Sequence, residues 1–452
     1  MQEENAKAGI TYSLEKDNLR PTTERVMDPV SYTVAWIGGN ISIAIFMVGA
    51  SLVPPSGSMN LVQAFVALLI GLSLTAVVLS INGAPGHKWG VPYVVQARPT
   101  FGTLGLKLPS LLRGIPALVW FGVQSWVGSS ALNAVLKSMF GLDNLILVFV
   151  GFTILQAVLG YTGIKGIKWI ENIGVVVIFF SVIYMTYILF TRFGTTISEN
   201  LIEYKGTWGM PFIAGITAAL GFSTTIVTNI SDFMRDLSKD VKTRNSSWLH
   251  WIAFVPTNMF LGLIGLITAS VTGEWDPIAL FTETMPGSPV LIVSLLFIAF
   301  AQITTNLYNN LVPASYVLID FTNLPYKIAA PICVFISVIT MPWMIATTGV
   351  FMAFIQIYTA FFGPIFAALV LDYYYFRKQN LDIKTLYDPN GPFVGVNWCG
   401  SIAIVFGAIV GLIFMEWSWF ASLIPTAVVY LLLTKYTNIS APFKTGTIFE
   451  KK

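Results

Sequence analysis

Long apolar stretches alternate with short clusters of charge along this chain, and their lengths read as membrane-spanning helices. A spanning helix needs ~20 mostly apolar residues, because the hydrocarbon core is about 30 Å thick and a helix rises ~1.5 Å per residue. Cut at its charges, the chain gives two spans in Pro29–His87, joined by the turn Pro54-Pro55-Ser56-Gly57-Ser58. Single spans follow at Gly114–Leu136, Asn144–Ile164, Asn172–Thr191, Gly206–Ser231, Asn245–Gly273 and Thr284–Ile319. Ile328–Leu371 is long enough for two, and Pro389–Met415 and Trp417–Thr434 give one each. The pattern predicts an all-α membrane protein of twelve transmembrane helices.

Two spans carry a weak point. The first reads Ala35-Trp36-Ile37-Gly38-Gly39-Asn40-Ile41-Ser42, and the sixth Ala219-Leu220-Gly221-Phe222-Ser223-Thr224-Thr225. Gly38 and Gly221 are 183 residues apart, and the same offset carries Trp120 of the third span onto Ile303 of the eighth. Spans 1–5 and 6–10 therefore read as a five-plus-five inverted repeat with broken helices 1 and 6, plus two extra helices. The odd number of spans per unit turns the second unit upside down. The boundaries expected are a cytoplasmic tail at 1–28, the first repeat at 29–192, the second at 206–371, a cytoplasmic loop at 372–388, helices 11 and 12 at 389–434, and a tail at 435–452. Close packing of helices is a second reading of Gly38-Gly39.

Composition narrows the class. The chain is 55% hydrophobic and 10% charged, against about 25% charged in soluble domains, which excludes an ordinary water-soluble enzyme. Lys and Arg favour the cytoplasmic side. With the N-terminus inside, 22 of the 25 basic residues fall in inside segments, and only Lys137, Arg192 and Lys205 lie outside. The expectation is a multi-pass protein of the cell membrane with both termini cytoplasmic. Its net charge of +3 then reflects topology beside an anionic leaflet, with no nucleic-acid partner. No cleavable signal peptide is visible, because the N-terminus mixes acidic and basic residues. Cys333 and Cys399 form no framework or metal pattern.

The middle of every predicted span lacks Asp, Glu, Lys and Arg, and the two histidines, His87 and His250, fall at span ends. That speaks against a membrane-embedded hydrolase or a carboxylate-driven proton pump, which need an ionisable group at depth. Neutral hydrogen-bonding groups lie at depth instead. In Trp120-Phe121-Gly122-Val123-Gln124-Ser125-Trp126, Trp120 and Gln124 are four apart and share a helix face. An indole face beside a carboxamide suits a flat polar heterocycle, which can stack and hydrogen-bond at once. A purely structural interhelical bond from Gln124 stays open. In the eighth span, Ala301-Gln302-Ile303-Thr304-Thr305-Asn306-Leu307-Tyr308-Asn309-Asn310 holds six amides or threonines and a tyrosine, which reads as a cavity wall. The hydroxyls of Thr304 and Thr305, with carbonyls freed by the broken first span, offer the neutral oxygens that a hard monovalent cation requires, so sodium is favoured over protons.

These residues resemble the nucleobase:cation symporter-1 family, particularly its bacterial hydantoin and allantoin permeases. The resemblance runs from Trp36 to Leu386. It rests on Asn82-Gly83 with Gly86 and Gly90-Val91-Pro92, on Trp120-Phe121-Gly122-Val123-Gln124, and on Asn229-Ile230-Ser231-Asp232-Phe233-Met234-Arg235. Thr304-Thr305-Asn306 with Asn310, and Asp372-Tyr373 followed by Arg377-Lys378, complete it. It implies that Trp120 stacks on substrate while Gln124 and Asn310 hydrogen-bond it. It also implies a sodium site built from the carbonyls of Gly38, Ile41 and Ala301 and the hydroxyls of Thr304 and Thr305. Ser42 falls where a polar residue near the substrate is usual. The hydantoin and allantoin relatives have a second tryptophan in span 6, where this chain has Ser223 after Phe222. The expected function is sodium-coupled import of a small planar nitrogen heterocycle by alternating access, by a monomer in the lipid bilayer and with no enzymatic activity. The alternatives are a proton-coupled or uncoupled permease for another heterocycle such as a vitamin precursor, or a ligand sensor that does not transport.

Overall fold

The computed structural model describes residues 19–40, 43–162, 168–285, 287–322 and 324–450. Helices make up nearly all of the ordered backbone among them, and the strand-like contact is an isolated bridge between Met27 and Leu237. The first apolar stretch forms α1 (Pro29–Gly39) and α2 (Ile43–Ala50), and α3 is Leu61–Trp89. Then come α4 (Lys107–Phe140), α5 (Leu145–Thr162) and α6 (Lys168–Ile202). The sixth predicted span is α7 (Met210–Gly221) and α8 (Thr224–Thr228), and α9 is Ser246–Thr272. The second half continues with α10 (Pro289–Asn306), α11 (Val312–Thr322), α12 (Tyr326–Ile339), α13 (Thr348–Val370), α14 (Trp398–Ile413) and α15 (Ser418–Tyr436).

Both predicted weak points are breaks. α1 stops at Gly39 and helix resumes at Ile43, and the Asn40 amide caps the freed Trp36 carbonyl at 2.6 Å. α7 stops at Gly221, and the Thr224 hydroxyl takes the Gly221 carbonyl at 2.8 Å. At the end of α8, the Val227 and Thr228 carbonyls accept from the Asn82 amide at 2.7 and 3.1 Å. A broken helix at membrane depth is tolerated where its loose backbone groups find such partners.

Two packed groups result. α9 lies against α1, α2 and α3, and α3 lies against α7 and α8. In the other group α4 runs along α10 and α11 and touches α5, which meets α12. α13 joins the two and also packs on α14 and α15. Contact between α2 and α9 is close enough to need glycine: a Cβ on Gly265 would fall 2.1 Å from the Phe46 carbonyl oxygen.

Several helices overrun the charge-defined limits, and polar groups expected near span ends are buried. α4 starts at Lys107, so Arg113, placed in a cytoplasmic loop by its charge, is helical and 5% exposed. His250, expected at a span end, is fully buried in α9, between Tyr32 and Ser80. The helix of α13 continues as a π-helix, Leu371–Phe376, into the segment expected to be a loop. There a buried Asp372–Arg377 pair, 2.8 Å apart, is completed by the Tyr430 hydroxyl on Asp372 and by the Thr445 and Phe443 carbonyls on Arg377. Cutting at charges misses such groups because partners inside the protein replace water.

Loss of one member of a buried pair leaves the other charge uncompensated. Arg377→Ala should therefore lower stability by about 3–5 kcal/mol, while Tyr430→Phe costs roughly 1 kcal/mol. Denaturation of the detergent-purified protein measures both.

Candidate binding site

The site is built on α4 and on the irregular join between α10 and α11. Residues Leu307–Leu311 form one π-helical turn between these helices, the kind of insertion that re-aims side chains and loosens local carbonyls. It carries Asn310 toward α4. The Asn310 amide donates to Gln124 Oε1 at 3.3 Å and to Asn306 Oδ1 at 2.8 Å. Asn306 in turn donates to the Phe121 carbonyl at 2.9 Å, to Ser125 Oγ at 3.1 Å and to Gln156 Oε1 at 3.0 Å. Gln156 Nε2 closes the ring onto Ser125 Oγ at 2.8 Å. Every member is buried, Asn306 and Gln156 completely. The bonds leave Gln124 Nε2 and Asn310 Oδ1 outside the network, one a donor and the other an acceptor.

Trp120, one turn before Gln124, is 4% exposed and held by aromatic edges. Its ring centroid lies 6.1 Å from that of Phe222, 5.7 Å from Phe351, 5.6 Å from Phe354 and 6.4 Å from Tyr358, all steeply inclined. Edge-to-face packing of this kind fixes the indole plane. Phe222 and Ser223 form the break between α7 and α8. Phe222 is half-buried; Ser223 is fully buried, and its hydroxyl finds no partner. Trp120, Gln124, Asn310 and Phe222 thus come together in direct contacts, and Ser223 adjoins Phe222.

For the expected cation set, Thr304 and Thr305 are 3% and 7% exposed, and the Thr304 hydroxyl donates to the Ala301 carbonyl at 3.2 Å. That leaves the lone pairs of the Thr304 oxygen for another partner. Gly38 is in the last turn of α1; Ile41 and Ser42 lie outside the described residues. No group of three or more His, Cys, Asp or Glu occurs among the described residues that could hold a metal. Any cation here would be met by neutral oxygens.

Sequence reasoning did not single out Gln156, Ser125, Tyr358 or Arg113. Gln156 is the lone amide inside an otherwise apolar stretch, and that was its one visible signal. The Asn82–Pro92 and Asn229–Arg235 clusters also meet: a Cβ on Gly86 would fall 2.7 Å from Ser231, and Ser231 hydrogen-bonds the Asn82 carbonyl at 3.3 Å and the Gln96 side chain.

With this geometry the family can be read. The profile of the family described as permeases for cytosine/purines, uracil, thiamine and allantoin matches residues 20–436. The chain belongs to this family, the nucleobase:cation symporter-1 transporters. It is 27% identical over 394 residues to a hydantoin permease of Microbacterium maritypicum, covering 83% of this chain and 79% of the relative. It is 27% identical over 402 residues to an allantoin permease of Bacillus subtilis, covering 79% and 80%. In fold it matches the inward-facing structure of Mhp1 with a TM-score of 0.85, at 24% identity over 97% of this chain and 96% of that one. Mhp1 in a closed form with bromovinylhydantoin bound matches at 0.82, at 24% identity and 97% coverage of each. The protein is therefore a multi-pass membrane transporter, not an enzyme.

The amide network fixes a stability expectation. Asn306→Leu leaves the Gln156 amide oxygen without its donor, while the Phe121 carbonyl keeps the Ser125 hydroxyl at 2.7 Å, and should cost about 1–3 kcal/mol. Gln156→Leu should cost a similar amount, and the double variant less than the sum. Thermal unfolding of the four proteins measures the coupling.

Proposed function

We propose that this transporter imports a small planar nitrogen heterocycle together with sodium by alternating access. The observation that carries the reading is the meeting of one indole face with a free amide donor and a free amide acceptor, at Trp120, Gln124 and Asn310, in a site without formal charge. Such a site suits a neutral ring with alternating N–H and C=O groups, as in hydantoins, ureides and nucleobases. Trp120 stacks on the ring, Gln124 and Asn310 bond its edge, and Phe222 takes the place of a second indole. Ser223 supplies a hydroxyl beside it, and Ser42 falls where a polar residue near the substrate is usual. The smaller Ser223 widens the site, so the preferred ring carries a substituent.

In this reading sodium is held by the carbonyls of Gly38, Ile41 and Ala301 and the hydroxyls of Thr304 and Thr305. The likeness to Mhp1, a nucleobase–cation symport transporter, supports coupling to a cation, and the all-neutral donor set favours sodium. Sodium and substrate each stabilise a closed state, so each raises the affinity for the other. We further read the chain as twelve spans: a 29–192 repeat, an inverted 206–371 repeat and two extra helices at 389–434. The tails at 1–28 and 435–452 and the loop at 372–388 are cytoplasmic. The matched contacts of α4 with α5 and of α11 with α12 fit this symmetry. The unit is a monomer.

Proton coupling has one observation in its favour, the buried His250 between Tyr32 Oη at 2.9 Å and Ser80 Oγ at 2.7 Å. His250→Gln separates the readings. Uptake driven by a sodium gradient survives it if sodium is the coupling ion, and is lost if the histidine carries the proton.

A thermal-shift panel of hydantoin, allantoin, uracil, cytosine and thiamine, with sodium or choline, identifies the substrate. For the heterocycle that binds, Trp120→Ala and Asn310→Ala should each weaken Kd about ten- to a hundredfold, matching ~1–3 kcal/mol for stacking or a buried hydrogen bond. Unchanged uptake in both would sink the site. Thr305→Ala should abolish the sodium dependence of Kd; equal affinity in sodium and choline for the unaltered protein would sink the coupling.

A further inference from the structure

One charged side chain is buried where the central site does not use it. Arg113 lies seven residues before Trp120, and Arg113, Ala117, Trp120 and Gln124 follow one another on one face of α4. The guanidinium therefore sits roughly 10 Å further along the helix than the indole, toward the end expected to face the cytoplasm. Its Nη2 donates to the Asn309 carbonyl at 3.2 Å, a group at the π-turn, and its Nε approaches Asn229 Oδ1 at 3.5 Å. Its Nη1 is buried with no partner.

Two phenols share that condition. Asp232, Tyr93 and Tyr358 are the titratable groups near enough to Arg113 to act on it electrostatically, and of the three only Asp232 is charged at neutral pH. Asp232 is engaged, accepting from the Tyr93 backbone N–H at 2.8 Å. The Tyr93 and Tyr358 hydroxyls are both buried without a hydrogen-bond partner. Burial, and then the Asp232 carboxylate, hold the Tyr93 phenol well above its usual range, so it keeps its proton as a donor. Tyr358 also touches the central site, with its ring 6.4 Å from Trp120 and its hydroxyl beside the indole without a bond of acceptable geometry. Buried polar groups without partners are rare in native proteins and call for a reason. Here three donors stand on three separate elements, α4, the short Tyr93–Gln96 helix and α13: Tyr93 is tied through Asp232 to Asn229, which Arg113 approaches, and Tyr358 meets Trp120 on the same face of α4 as Arg113. Asp232 alone adds negative charge, and its Oδ1 already bonds elsewhere.

We propose that Arg113 Nη1 and the hydroxyls of Tyr93 and Tyr358 form a second binding site, which captures a carbonyl or imidate oxygen of the heterocycle between its departure from Trp120 and its release. Tyr358 hands the ring from one site to the other. The arrangement selects substrates rich in carbonyl oxygens, such as hydantoins, ureides and uracil, over amine-rich rings such as cytosine. This rests on the central site proposed above, but it makes a different demand. The central site sets equilibrium affinity, whereas the second sets the rate of passage.

The test compares the unaltered protein with Tyr93→Phe, Tyr358→Phe, the double variant and Arg113→Lys in sodium-loaded and sodium-free proteoliposomes. The probe is the ring giving the largest shift in the panel above. Both phenylalanine variants remove only unpartnered hydroxyls, so their melting temperatures should equal or exceed that of the unaltered protein. Substrate Kd should stay within about twofold while turnover in counterflow falls about tenfold or more in the double variant, a change in rate at constant affinity. Turnover within about twofold of the unaltered protein in the double variant overturns the proposal. So does a rise in Kd that matches the fall in turnover, because the residues then belong to the central site. Failure of the central reading is separate, since it appears as unchanged binding in Trp120→Ala.

Discussion

A bilayer offers no water to a backbone amide or carbonyl, and the whole arrangement depends on how this chain meets that constraint where its helices stop early. Two helices break at membrane depth, after Gly39 and after Gly221, and the π-turn at Leu307–Leu311 loosens a third. Each break exposes carbonyls, and each is answered from a neighbouring element: Asn40 for Trp36, Thr224 for Gly221, Asn82 for Val227 and Thr228, and Arg113 for Asn309. The polar side chains inside the protein are therefore there first to make irregular backbone tolerable. Function uses what they leave over. The donor on Gln124 and the acceptor on Asn310 remain because the other half of each amide is already spoken for by the network.

That division explains why a neutral site is also a stable one. A carboxylate or ammonium at the same depth would need an opposite charge and several hydrogen bonds to offset desolvation. Amides satisfy one another in chains, and a fully connected chain specifies a single geometry. Asn306 is the hub, with three acceptors on α4 and α5 and an acceptor oxygen turned to Asn310. The buried charges that pair with each other, Asp372 with Arg377, sit well away in sequence and bind the C-terminal segment.

Much of this was legible before any coordinates. Charge-free windows gave helices, because length and apolarity are set by the bilayer and read directly. The breaks were legible because glycine pairs and a repeated offset mark them, and Trp120 with Gln124 because spacing by four defines a face. Three features were not. The π-turn has no residue signature, so nothing in Leu307-Tyr308-Asn309-Asn310 announces that Asn310 turns toward Gln124. Gln156 is a single amide in an apolar stretch, and its partners come from helices distant in sequence. Arg113 was set outside the membrane segments, and His250 at the edge of one, by a rule that treats charge as solvated. In fact the first is buried against carbonyls and amides, and the second between a tyrosine and a serine.

The distribution of strong and weak contacts around Trp120 then says where movement can occur. α4, α5 and α10 are tied by the closed amide network, so they shift together or break several buried hydrogen bonds at once. Trp120 meets α13 and the α7–α8 break only through aromatic edges, which slide at small cost because their attraction is spread and weakly directional. In the reading proposed above, a ligand stacked on Trp120 sits on that seam. It adds directional bonds, through Gln124 and Asn310, to the rigid side, and apolar area, through Phe222, to the other. Binding thus stiffens the one boundary that the amide network leaves soft, and this is how a small neutral ring can shift the balance between conformations of a much larger bundle.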